Sequence, residues 1–420
     1  MKKLLYITSR VFWPTKSGHE VHIYNYCKAL NEKYGYCVDV YILDKKSEID
    51  NAISSKPSFI NNVFSGKSIS KLDIISNLIT KTLFNKEHWA LQSSLYFNQK
   101  NKAYLEELDT KENYDVLFVD MVRLASYKVA FNRNGIRTVL DMGDILSKRY
   151  DRQISNVSDS SNVGGAYTNG MSKSFQSILS PKWVQKVILR IESRLMKKSE
   201  ISWAEKYDSV ILVSTVETEE LNHKLSKPKA VTVRVGVNCE YFGERRDYKV
   251  KDNYVSFVGD MRTAANSDTV ELITSNIIPL CKNVGRVVFV GKCSDQIKEK
   301  YSENKKVFFT GMVPDIRDEV KNTSVFIAPM AYGTGVKIKI VEAMAMGMPV
   351  VTNSIGAEGI PGINGQHWFV GNSYEEIADY IDTLITDTGK RDEMGRNAQE
   401  LISSIFSWDA ATRAFKDAGL

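Results

Sequence analysis

Short apolar runs recur along this chain, and most are followed by a stretch with helical spacing. Lys3–Ser9, Cys37–Leu43, Tyr114–Val119, Thr138–Leu140, Val210–Ser214 and Val231–Val237 read as buried strands of one sheet. A helix is expected from about Val21 to Tyr34, after the first strand. A second series follows at Tyr254–Val258, Arg286–Val290, Val307–Thr310, Ser324–Ala328, Pro349–Thr352 and Trp368–Val370. Alternation of this kind builds parallel sheets from βαβ units, so two doubly wound halves are predicted, with a boundary near Gly243. Between Ile49 and Asn101 the pattern is helical but irregular, and reads as a helical insertion or cap. Ser155–Ser180 is rich in Ser, Asn and Gly and reads as a mobile loop.

After that loop, Lys182, Lys186, Arg190, Arg194 and Lys198 repeat every fourth residue, with Val184, Val187, Ile188, Ile191 and Leu195 on another face. Such a helix can dock on an anionic membrane surface, or simply show a solvated face while packing on its own domain. Charge gives the first reading some weight. Residues 1–240 carry a net charge of +9 and the remainder −3, so a basic half could meet an anionic acceptor or leaflet. No nucleic-acid-binding module or Arg/Gly-rich tract is present, which argues against nucleic acid.

A length of 420 residues exceeds what one core usually serves. The hydrophobic fraction of 43% and charged fraction of 25% are those of a globular protein. No apolar run reaches the roughly 18 residues of a membrane span, and the opening Met1–Ser9 lacks a small-residue cleavage site. The five cysteines show no metal-binding or paired spacing, so a reduced, cytoplasmic and metal-free protein is expected.

Candidate chemistry concentrates between Pro329 and Val351, read as PMAYGTGVKIKIVEAMAMGMPVV. Gly333 and Gly335 open a loop after a strand, Lys337 and Lys339 sit at the head of the next helix, and Glu342 follows. A helix terminus with full positive charge suits a diphosphate, although many such loops in doubly wound folds bind nothing. The stretch is neither a P-loop nor a GxGxxG fingerprint. Two further stretches lie where open α/β sheets keep ligands, at strand ends: Arg10–Glu20 and Leu140–Ser147. In the latter, Asp141 and Asp144 could orient a hydroxyl or take its proton, or Asp144 could cap the following helix.

GTGVKIKIVEAMAMGMPVV resembles the donor-binding signature of the retaining nucleotide-sugar glycosyltransferases of family 4, the group 1 type. The likeness extends through FVGDMRTAANSD, FFTGMVPDIRDEV, SVFIAP and TNSIGAEGI, in that order. It implies the GT-B fold, two Rossmann-like α/β domains facing each other across a cleft. On that reading residues 1–243 bind acceptor, 244–403 bind the nucleotide sugar, and 404–420 form a helix crossing back to the first domain. GVNCEYF resembles the family's hinge.

The resemblance also assigns residues. Gly18, Gly259, Val313, Thr334, Gly335, Val336, Lys337 and Glu342 would bind donor, with Glu342 on the ribose and Gly311–Arg317 along the nucleobase. Ser17, His19, Asp141 and Ser147 would stand on the acceptor side, and Lys337, Arg262 and Asp144 would carry catalysis. Neither cofactor nor metal is implied beyond the nucleoside-diphosphate sugar, and the expected acceptor is a glycan or lipid-linked glycan of a bacterial-type surface polysaccharide. Two departures stand out. The family's Arg/Lys pair in the Gly259 loop is replaced by Asp260 and Ala265, with Arg262 as the substitute cation, and the first acid of E-x7-E is Thr334. These keep two alternatives open, a non-catalytic partner subunit and a nucleotide-sugar epimerase of the same fold.

Overall fold

In the computed structural model, the described residues are 1–15, 17–84, 89–156, 182–244, 250–333 and 335–420. The mobile-loop expectation at 155–180 and the site residue Thr334 therefore fall outside them, apart from 155–156, which end a helix. The chain divides into two compact units. One holds Met1–Ile154, Met171–Arg234 and Thr412–Leu420, and the other Val235–Ala411 with Ser155–Gly170.

The first unit is built on seven parallel strands: β1 (Lys3–Thr8), β2 (Cys37–Ile42), β3 (Ile60–Ser65), β4 (Val116–Asp120), β5 (Arg137–Gly143), β6 (Ser209–Leu212) and β7 (Ala230–Thr232). Their order is β3-β2-β1-β4-β5-β6-β7. Leu4 pairs with Val38 on one side and Val116 on the other, so β1 is central. Central strands covered on both faces read as continuous apolar runs, which is why LLYIT is entirely buried after Leu4. The chain's last residues belong to this core, with the Phe415 ring against Tyr26 at 4.8 Å.

Strand β3 corrects the reading of residues 49–101 as wholly helical. INNVFS is an edge strand whose Asn61 side chain and Asn62 amide bind Asp39, so its polarity hides it from an apolar-run search. The first helix, Gly18–Glu32, starts three residues before its expected position. Ser17 and Glu20 form a reciprocal capping box there, with Ser17 Oγ accepting from the Glu20 amide and Glu20 Oε2 from the Ser17 amide.

The second unit holds six parallel strands: β8 (Lys251–Val258), β9 (Arg286–Val290), β10 (Val307–Gly311), β11 (Thr323–Ala328), β12 (Val350–Thr352) and β13 (Phe369–Val370). The order is β10-β9-β8-β11-β12-β13. Its core is Val, Ile, Phe and Met from these strands and from the helices Ile338–Ala345, Tyr374–Thr386 and Thr388–Ile405. Among the described residues no helix is long and apolar enough to cross a membrane.

Candidate active site

Each sheet has one place where successive connections run off in opposite directions, and ligands of open α/β folds bind at the carboxyl ends of the strands there. In the second unit that place lies between β8 and β11. The end of β8 supplies Gly259, Asp260 and Arg262, and the end of β11 supplies the loop to Lys337. Gly333 and Gly335 have φ of +152° and +63°, a region other residues avoid. A Cβ on Gly333 would sit 3.0 Å from Lys337 Cε, so the lysine lies over bare backbone.

Lys337 is the residue before the helix Ile338–Ala345, and its own side chain makes no capping hydrogen bond there. Its ammonium is buried, donates to the Gly335 carbonyl at 2.5 Å, and lies 3.8 Å from Glu358. Lys339 Nζ donates to Asn266 Oδ1 at 2.6 Å and lies 4.2 Å from the centre of the Phe257 ring. Burial pulls Lys339 down to about 7, against the pull of Glu342. Burial likewise pushes Glu342 up to about 7, with Lys339 opposing. Two cations thus stand at the head of a helix, an arrangement that would welcome a diphosphate.

Glu358 was not foreseen, and the local fold explains its place. After β12 the Asn353 side chain accepts from the Gly356 amide, capping the one-turn helix Ser354–Ala357 that ends at Glu358. A Cβ at Gly356 would fall 2.9 Å from the Ala328 carbonyl, so only glycine fits. Asn266 was also missed. It fills the space beside Gly259, where a Cβ would approach its amide to 2.8 Å, and it donates to the Asp260 carbonyl.

Arg262 is exposed and makes a two-point pair with Asp260, at 2.8 and 2.6 Å. Its hydrogen bonds and charge hold the Asp260 carboxyl below its ordinary range. Its charge is therefore already matched, whereas Lys339 reaches the Gly259 loop through Asn266. In Gly311–Arg317, Val313 is half-buried, but Arg317 turns inward to Asp315 and Glu244 and lies 3.5 Å over the Tyr241 ring.

In the first unit the reversal lies between β1 and β4. There Thr8, last in β1, donates from its hydroxyl to Asp120, last in β4, at 2.9 Å. The His19 imidazole is 3.1 Å from the same carboxylate. Burial disfavours charge on both, yet they charge each other: His19 is raised, while His19, Arg123 and Thr8 hold Asp120 low. A parallel pair lies behind, with His22 Nε2 2.9 Å from Asp141, the two imidazoles stacked at 6.0 Å. An open, polar cavity beside the end of β1 is lined by Arg10, Trp13, Glu20, Asp44 and Tyr96.

The remaining candidates of the first unit, donor-side Gly18, catalytic Asp144 and acceptor-side Ser17, Asp141 and Ser147, make contacts within the unit itself. Ser17 caps its helix and Gly18 opens it. Asp141 also accepts from the Gly143 amide, Ser147 donates to Glu200 at 2.6 Å, and Asp144 pairs with Arg149. Asp120 escaped the sequence reading, although it is the one acid ending the apolar run VLFVD.

Residues 252–387 match the family described as Glycosyl transferases group 1. A capsular polysaccharide biosynthesis glycosyltransferase, CapM of Staphylococcus aureus, is 26% identical over 217 residues, spanning 45% of this chain and 56% of CapM. Anabaena HepE in complex with UDP-glucose superposes with a TM-score of 0.61 at 15% identity, over all of both chains. A variant of S. aureus TarM in complex with fondaparinux, alpha-GlcNAc-glycerol and UDP gives 0.61 at 12% identity, covering 100% of this chain and 99% of TarM. The chain has the GT-B fold, and its second unit carries a group 1 glycosyltransferase domain at residues 252–387.

Proposed function

We propose that this protein is a retaining glycosyltransferase, moving a sugar from a nucleoside-diphosphate sugar to a glycan or lipid-linked acceptor in surface polysaccharide synthesis. The observation that carries this is the placing of Lys337 and Lys339 at the head of the helix Ile338–Ala345, at the strand-order reversal of the second unit. CapM's role in capsule synthesis and the UDP-sugar bound to HepE support it.

In this reading the bond between the anomeric carbon and the diphosphate oxygen breaks while the acceptor oxygen bonds to that carbon from the same face. The acceptor proton passes to the departing phosphate, so no enzyme nucleophile is needed. Lys337, Lys339 and the helix amides stabilise the charge that develops on the diphosphate, so no metal is invoked. Glu342 takes the ribose. His19, set by Asp120, orients the acceptor hydroxyl. The acceptor is placed at the inner face of an anionic membrane, with the basic helix Lys182–Lys206 towards it.

A panel of UDP- and GDP-sugars, with the anomeric configuration of the product read by NMR, tests the proposal. Lys337→Ala and Glu342→Ala should each lose transfer by at least about tenfold, the scale of one charged contact. Near-normal turnover in both would refute it. A second reading, a non-catalytic partner subunit, is favoured by the Asp260 carboxylate standing where a cation is expected. It requires that neither UDP nor GDP raise the melting temperature.

A further inference from the structure

Two helical stretches of the first unit turn apolar side chains outward. From Lys71 to Leu83 the chain is helical, and Leu72, Ile75, Ile79 and Leu83 recur every three or four residues along one stripe. That stripe is the outer one: Leu72 is 78% exposed, Leu83 71% and the adjoining Phe84 81%. The two buried side chains of this stretch are polar, Asn77 and Thr82, while Ile74 and Leu78 are half-buried. Asn77 donates to the Ser94 and Phe97 carbonyls, and Thr82 shares a hydrogen bond with Ser94.

The helix Lys182–Lys206 buries Leu189, Met196 and Trp203 in the ordinary way, yet it also buries two acids and turns two apolar residues outward. Its fully buried Glu192 accepts from the Leu91 and Gln92 amides at 2.7 and 3.2 Å, and Glu200 is buried against Ser147. Val187 and Ile191 point outward among exposed Arg190, Arg194, Lys197 and Lys198. The expected apolar face of this helix is thus partly the solvent-facing one, and the side chains of Lys182, Val184 and Lys186 lie outside the described residues. Both helices pack on the short helix Leu91–Tyr96. Scattered exposed apolar residues need no explanation, but two stripes on adjoining helices do.

We infer that this face seats in the interfacial layer of a bilayer with anionic headgroups: Leu72, Ile75, Ile79, Leu83 and Phe84 enter the acyl boundary, and Arg190, Arg194, Lys197 and Lys198 hold the phosphates. Charge selects this occupant. A second copy of the chain placed by a twofold axis would set the cationic flank against itself, whereas an anionic leaflet matches it. The inference deepens the membrane placement proposed above by adding an apolar anchor to an electrostatic one. It does not depend on the transfer chemistry.

Flotation of the full chain with vesicles of equal parts phosphatidylglycerol and phosphatidylcholine tests it without any activity readout. Binding is expected at low salt and, weakened, at about 0.5 M salt, where exposed charges are screened. Leu83→Ser with Phe84→Ser should lower partitioning at least about tenfold at both salts, with the melting temperature unchanged. Arg190→Gln with Arg194→Gln should lower it only at low salt. A Phe84→Trp variant should blue-shift its fluorescence on vesicle addition. Lack of flotation at low salt overturns the inference, as does binding indifferent to Leu83 and Phe84. A vesicle-indifferent dimer that the Leu83/Phe84 variant disperses in sedimentation velocity also overturns it, and assigns the face to a second copy.

Discussion

The His19 imidazole lies 3.1 Å from the Asp120 carboxylate, at the carboxyl ends of the two strands where the first sheet reverses its order. Burial works against charge on either group, and the charge of each sustains the other. The linkage has two signs. Asp120, held low, contributes stability above its ordinary value that is lost as pH falls through its folded value. His19, held high, contributes stability below about 6.5 that is lost as pH rises through its folded value. Asp120→Asn should therefore lower the His19 titration, because burial and Arg10 are then opposed only by the weaker pull of Asp141. An imidazole NMR titration reads this directly, and an unmoved midpoint would show that the pair is not coupled. Transfer should fall at least about tenfold in the same variant.

Gly333 ties backbone conformation to a charge. Its φ of +152° excludes side chains, and a Cβ there would press on Lys337 Cε at 3.0 Å. Gly333→Ala should weaken UDP-sugar binding at least about tenfold by displacing the ammonium, at a folding cost of about 1–2 kcal/mol. Binding by calorimetry beside a melting curve separates the two effects. Intact affinity in a folded variant would show that Lys337 does not touch the donor.

The two sheets and the turn at Gly333 and Gly335 were legible because buried parallel strands are continuous apolar runs and glycines mark turns with positive φ. What escaped was set by contacts distant in sequence. Edge strand β3 is polar and owes its place to Asp39. Asp120 gains meaning only when β4 lies beside β1, and Asn266 only when the Lys339 side chain crosses to it. Asp144 and Ser147 looked chemical in sequence, yet Arg149 and Glu200 engage them as parts of the scaffold. The outward stripe on Lys71–Leu83 was hidden because periodicity reveals an apolar face without saying which way it turns.

Arg317 is 3% exposed, pairs with Asp315 and Glu244, and holds the Asp315 carboxyl far below its usual range. Its guanidinium also lies flat over Tyr241. Arg317→Ala should lower the melting temperature, because the fork to Asp315 and the stack on Tyr241 are both lost. Arg317→Lys should recover little, because an ammonium cannot make the fork or the stack. A residue that touched the nucleobase instead would raise KM for the nucleotide sugar and leave the melting temperature unmoved, so the two measurements decide its role.

Burial holds Lys339 and Glu342 in states that cost the fold stability. Burial raises Glu342 to about 7, so the folded chain resists its ionisation, and the resulting penalty grows as pH rises from about 4.5 to 7. Burial lowers Lys339 to about 7, a penalty that fades as pH rises from about 7 to 10.5. Glu342→Gln removes the first penalty. It should raise the melting temperature by about 2–4 °C near pH 8, less whatever Lys339 loses with its partner, and change it little near pH 5. The same variant should bind UDP-sugar at least about tenfold more weakly, because the amide is a poorer acceptor for sugar hydroxyls. Melting curves at the two pH values, read beside calorimetric titration, test both halves. A stability gain equal at the two pH values would mean that packing, not charge, limits this site, and unchanged affinity would remove Glu342 from the donor pocket.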